Sequence, residues 1–200
     1  MRAVMSAENL LDEPLGEFLD RLAGRGPAPA GGSAAAISIA MAAGLVSMVA
    51  RASRRHWEEA GGAIGQAQAL RARVAPLAQA DADAFVDAFM ILQHRDEVEE
   101  RYRDQKLSEA LEKAAEIPLK IAEAGSDIAC LGAELVEKGN PEVRADAAAA
   151  CVLSAAGTRI AAKLVEVNLA ATDEDPRVRH VRSLVEVAEE ASERALAAAE

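Results

Sequence analysis

The chain has 200 residues, 51% of them apolar, and a formal net charge of −11. That length supports one sizeable core, and no shift in composition marks a second domain, so residues 1–200 read as a single domain. The acidity excludes a nucleic-acid binder that works by neutralising phosphates, because no basic patch is present.

Only three Phe, one Tyr and one Trp are present, and alanine dominates. Small side chains let helices pack closely, and few windows alternate apolar with polar residues. The expected fold class is all-α: an up-and-down bundle of long, partly kinked helices. A first helix is predicted from near Pro14, with Asp12 as a possible cap, placing Leu15, Phe18, Leu19 and Leu22 on one face before Gly24 ends it. There follows Gly26-Pro27-Ala28-Pro29-Ala30-Gly31-Gly32-Ser33, a stiff glycine turn that opens an uncharged run from Ser33 to Ala50. Ser33 suits an N-cap, and the helix is predicted to end between Ser53 and Trp57, where Arg51, Arg54 and Arg55 complement its dipole.

The Gly61-Gly62 pair is expected to break the chain, and Pro76 to kink or interrupt a third helical segment over residues 64–92. The charge-dense stretch from Asp96 to Lys113 reads as a solvated helix running to a second kink at Pro118. Another helix reaches Lys138. Gly139-Asn140-Pro141 then stops it and starts the next, which runs to about Ala170. A polar turn over residues 172–176 leads to a last amphipathic helix that turns Val178, Val181, Leu184, Val185 and Ala188 inward.

The uncharged run reaches the lower length limit of a membrane span, yet its alanines and Ser33, Ser38, Gly44 and Ser47 suit a buried central helix better, and no membrane partner is expected. Glu8, Asp12 and Glu13 interrupt any apolar leader, so a cytoplasmic location is expected. Cys130 and Cys151 read as reduced core thiols. His56, His94 and His180 are isolated, so no metal is expected; nor does any serine or cysteine sit in a nucleophile motif.

The glycine turn is a candidate binding site, since a backbone without Cβ atoms lets a ligand approach the free N–H groups of a helix start. Its ordinary alternative is a plain helix connection. At 100° per residue Asp81 aligns with Phe85, Ala88, Phe89 and Leu92, while Asp83 and Asp87 point away. Asp146 likewise aligns with Ala150, Leu153, Gly157, Ile160 and Leu164. An inward carboxylate is costly unless paired, so each acid either bonds a helix end or serves a ligand. Asn140 and Asn168 are further polar candidates, with turn former and satisfied core amide as their ordinary readings.

These pieces, in this order, carry a resemblance. Phe18-Leu19, the Pro27–Ser33 loop, Val46-Ser47-Met48-Val49, Asp81-Ala82-Asp83-Ala84-Phe85 and Glu137-Lys138-Gly139-Asn140-Pro141 leading to Asp146 together resemble the cyclodeaminase/cyclohydrolase family over nearly the whole chain. The family includes methenyltetrahydrofolate cyclohydrolases and the cyclodeaminase domain of formiminotransferase-cyclodeaminase.

The resemblance implies an all-helical homodimer whose substrate is a tetrahydrofolate derivative, with no permanently bound cofactor. Asp81 and Asp146 become the catalytic acids. Pro29, Gly31, Gly32, Ser33 and Asn140 become substrate-binding residues, and Arg51, Arg54 and Arg55 candidates for the anionic glutamate tail. Methenyltetrahydrofolate hydrolysis to formyltetrahydrofolate is the leading reaction. Formiminotetrahydrofolate cyclodeamination and an inactive folate-binding dimer are the alternatives. Three positions depart from the family pattern: Ala30 replaces a glycine, which matters if that residue needs a positive φ; Ala145 replaces a serine; and Gln93-His94-Arg95-Asp96 replaces a Leu-Pro-Lys-like segment.

Overall fold

A computed structural model describes residues 9–93, 100–169 and 175–199, and all of their regular structure is helical. The elements are α1 (Leu15–Leu22), α2 (Gly31–Ala52), α3 (Ala60–Val74), α4 (Leu77–Gln93), α5 (Glu100–Lys138), a 3-10 turn (Pro141–Val143), α6 (Arg144–Leu169) and α7 (Pro176–Ala199). The expected start at Asp96, residues 94–96 of the departing segment, Ala170, and the turn residues 172–174 lie outside the described residues.

The centre is α2, with eleven buried residues, packed against α5 and α6. Ile39 shows why small residues dominate there. It is fully buried, and a methyl group built on Gly157 of α6 would stand 2.7 Å from its Cγ1, while one on Gly125 of α5 would also overlap it. Bare Cα atoms let both helices close on one branched side chain. Farther along, Gly132 of α5 meets Cys151, Ala147 and Val46, so α6 runs antiparallel to α2. α2, whose one charged residue is Arg51 in its last turn, and the segment Pro141–Leu169 are long and apolar enough to cross a membrane, but 56% of each window is buried inside the bundle.

Several local expectations are corrected. In α1 only Phe18 is buried; Leu15 and Leu19 are 67% and 53% exposed, because an eight-residue helix has room for one anchor. Its cap position is Pro14, and the Asp12 N–H donates to the Asn9 carbonyl. The Gly61-Gly62 pair does not break the chain but lies in the first turn of α3; the break is the turn over residues 53–59. Pro76 does interrupt the third segment, whereas Pro118 is carried within the single helix α5.

Cys151 is buried, donates its thiol to the Ala129 carbonyl at 3.4 Å, and is pushed up to about 12 by burial. Such a thiol fills space rather than reacts.

The tightness around Ile39 is testable. Gly157→Ala should lower stability by ~1–3 kcal/mol through overpacking, read as a fall in thermal midpoint. An unchanged midpoint would show that α2 and α6 can separate at no cost.

Candidate active site

Ala30 is the residue before α2, and Gly31 and Gly32 form the first turn of that helix. Ala30 has φ −138°, an extended conformation open to any residue, and among the described residues no glycine has a positive φ. The methyl group at position 30 therefore imposes no backbone strain, and Ala30 itself lines the cleft beside this helix start. The glycine that matters is Gly32, whose missing Cβ would coincide with the carboxyl group of Asp81.

Asp81 projects from α4 onto this helix start and accepts the Ser33 N–H. Ser33 is not the N-cap. Its buried hydroxyl donates to the Ala78 carbonyl at 2.8 Å, binding the α2 start to the first turn of α4. Burial raises the Asp81 carboxyl to about 6 from 3.8, against the opposing pull of the Ser33 N–H. Desolvation disfavours the charged form, and here it outweighs the helix start.

The carboxyl opens into a cleft of about 190 Å³. On the α4 wall Ala84 and Ala88 are small, and Phe85 and Phe89 lie with ring centroids 6.4 Å apart and planes 17° from parallel. Leu111 and Ala114 of α5, and Leu164, Val167 and Asn168 of α6, complete it. Of all lining residues only Asp81 and Asn168 have polar side chains. An apolar slot with few convergent polar groups suits a flat heterocycle. A larger groove between α4 and α5 shares Ala84 and Ala114 with the cleft and carries Lys106 and Lys113 alongside Asp83 and Asp87.

Gly31, Gly32 and Asp81 thus line one cleft, with Pro29 and Ser33 buried beside it. The remaining expected site residues lie elsewhere in the chain. Arg51 is nineteen residues beyond Gly32 on the same helix, about 29 Å at the helical rise; Arg54 and Arg55 follow in the turn after α2. Arg51 lines a separate hollow with Ser47, Gln68 and Arg71.

Asn140 acts as a turn former: its side chain accepts from the Glu142 N–H at 3.0 Å and its own N–H donates to Ser53 at 2.8 Å. Asp146 is half-buried in the first turn of α6, ~33 Å along the axis from Asn168. One chain does not unite the two acids. Among the described residues no group of three His, Cys, Asp or Glu is placed to hold a metal.

The sequence model of the formiminotransferase-cyclodeaminase family matches residues 14–187. The chain belongs to this family. It is 33% identical over 196 residues to a methenyltetrahydrofolate cyclohydrolase from Methylorubrum extorquens, covering 92% of this family member and 94% of that protein. Formimidoyltransferase-cyclodeaminase from Sus scrofa is 30% identical over 89% of the chain, which spans only 34% of that longer protein. The fold matches a crystal structure of formiminotetrahydrofolate cyclodeaminase from Thermotoga maritima with a TM-score of 0.79 and 24% identity, over 94% of this chain and 96% of that one.

Asn168 was visible in the sequence as a core amide, and Phe85 and Phe89 as core apolar residues. The clue to the ring pair was that two of the chain's three phenylalanines stand one helical turn apart.

The raised Asp81 carboxyl makes a linkage prediction. Below the unfolded value near 3.8 both states are protonated and there is no cost; as pH rises to about 6 the unfolded chain ionises first, and above that the full penalty is present. Asp81→Asn should therefore stabilise the protein at pH 8 by up to about 3 kcal/mol. The gain should shrink toward pH 4. Urea unfolding across that range checks it, and a gain independent of pH would contradict it.

Proposed function

We propose that this chain is a folate one-carbon enzyme of the cytoplasm, working as a homodimer, and that it hydrolyses methenyltetrahydrofolate to formyltetrahydrofolate. The observation that carries the reading is a single carboxyl group, held near neutrality, at the bottom of an apolar slot. The Methylorubrum cyclohydrolase, matched across almost its whole length, supports this reaction.

The substrate's bridging carbon is part of a cationic amidinium, so its charge complements the ionised Asp81. Asp81 takes a proton from water as the oxygen bonds to that carbon. Collapse of the tetrahedral adduct breaks one carbon–nitrogen bond, leaves a formyl group on the other nitrogen and releases one proton overall. The N–H groups of Gly31 and Gly32 stand at the helix start, where they favour negative charge on the adduct oxygen.

Cyclodeamination is the second reading, favoured by the longer relatives and needing the same slot. There the formimino carbon is attacked by the neighbouring nitrogen and ammonia leaves, with Asp81 passing the proton. Arg51, Arg54 and Arg55 are remote in sequence from the slot, and the α4–α5 groove beside it sets Asp83, Asp87 and Glu109 against Lys106 and Lys113, so a glutamate tail held there needs the charge of Lys113. Asp146 and those arginines act on the slot only where a second copy presents them. The exposed Met41 and Met48, on a helix whose one charge is Arg51 in its last turn, favour such a copy.

Turnover with each folate tests the assignment. Asp81→Asn should cut kcat by about 10²–10⁴ while folate binding by calorimetry persists, and kcat/KM of the native chain should rise with pH through about 6. Turnover that survives Asp81→Asn would remove the base from this role. Binding without turnover in the native chain would establish the inactive reading instead. Asp146→Asn separates a shared site, which loses activity, from an unshared one, which keeps it.

A further inference from the structure

The second polar side chain of the cleft faces an unusual partner. In an unbroken α-helix the N–H of residue 118 would bond the carbonyl of residue 114, but residue 118 is proline, which has no N–H. The Asn168 amide of α6 takes that place: its Nδ2 donates to the Ala114 carbonyl at 3.4 Å. Because a carbonyl only accepts, the atom turned toward α5 must be the nitrogen. The amide is therefore oriented, and Oδ1 accepts no hydrogen bond from any described residue. Ala114 and Asn168 both line the cleft, facing the Asp81 wall across it.

We infer that Asn168 is a specificity-determining residue that receives an N–H donor edge of the ligand's heterocycle on Oδ1, and that Pro118 is the positioning residue that frees the Ala114 carbonyl to orient it. The inference rests on the folate reading of the slot and adds how the ring is recognised. A pterin presents two adjacent donors, the ring N3–H and the 2-amino group, on the edge remote from the one-carbon bridge. With the 2-amino group of that edge donating to Asn168 Oδ1, the bridge lies toward the opposite wall, where Asp81 is. An acceptor that the ligand covers without supplying a donor is a strong discriminator, stronger than apolar contact with the same ring.

The test uses the full chain, a tetrahydrofolate substrate and an analogue whose 2-amino group is replaced by methyl. Asn168→Ala should raise KM about ten-fold, with the loss falling on KM rather than kcat, and should abolish the native preference for the amino compound. Pro118→Ala keeps the amide but restores an N–H to compete for the Ala114 carbonyl. It should raise KM several-fold while the new amide at position 118 is protected from hydrogen exchange, a pairing that a purely structural proline would not produce.

If Asn168→Ala does not fold, Pro118→Ala reads the same quantity. A native chain that converts folates while both variants keep its KM and its preference overturns this inference alone. A native chain that neither binds nor converts any folate overturns the functional reading and this one with it.

Discussion

The carboxyl group of Asp81 rests on the bare Cα of Gly32, and the geometry of the whole site follows from that contact. Any side chain at position 32 would occupy the space of the carboxyl, so the acid could not reach the start of α2. Glycine is used here for close approach, not for an unusual backbone angle. The contact sets two opposed forces on the acid. The Ser33 N–H and the helix start favour its charge, burial disfavours it, and burial prevails by enough to bring the group to about 6. The Ser33 hydroxyl, spent on Ala78, keeps the two helices in the register that this balance requires.

That arrangement is affordable in a bundle built from small residues. Ile39 locks α5 and α6 against α2 through Gly125 and Gly157, and the same closeness continues at Gly132 beside Cys151. Where the helices instead present Phe85, Phe89, Leu111 and Leu164, larger groups line a slot rather than fill it. The small-residue seam holds the bundle, and the bulky residues at one end shape the cleft.

Helical periodicity was enough to turn Asp81 inward and Asp83 and Asp87 outward, and proline chemistry was enough to break the chain at Pro76. Periodicity reports which face a residue occupies but not which end of the bundle. Asp146 and Asp81 share an inward habit yet sit at opposite ends, as the length of α6 alone implies. Ser33 misled for a different reason: a serine at a helix start usually bonds its own helix, and its true partner is 45 residues away. Asn140 carried two readings in the sequence, turn former and ligand contact, and its Oδ1 is engaged by the local turn. No local pattern announces that Gly32 and Asp81, 49 residues apart in the chain, share one volume.

The two polar side chains of the cleft differ in the kind of group each offers. Asn168 is neutral and held by a carbonyl that proline set free, so its acceptor is fixed at every pH and suits reading a ring edge. Asp81 is ionisable and partly desolvated, so its charge state responds to what enters. A cation arriving in the apolar slot supplies the favourable charge that water no longer provides, lowering the carboxyl from its raised value and completing its ionisation. Burial alone makes the empty acid a reluctant anion; burial with a cationic ligand makes it a firm one. The penalty carried by the unliganded protein thus becomes a preference for positively charged guests over neutral ones of the same shape, since only the former relieve it.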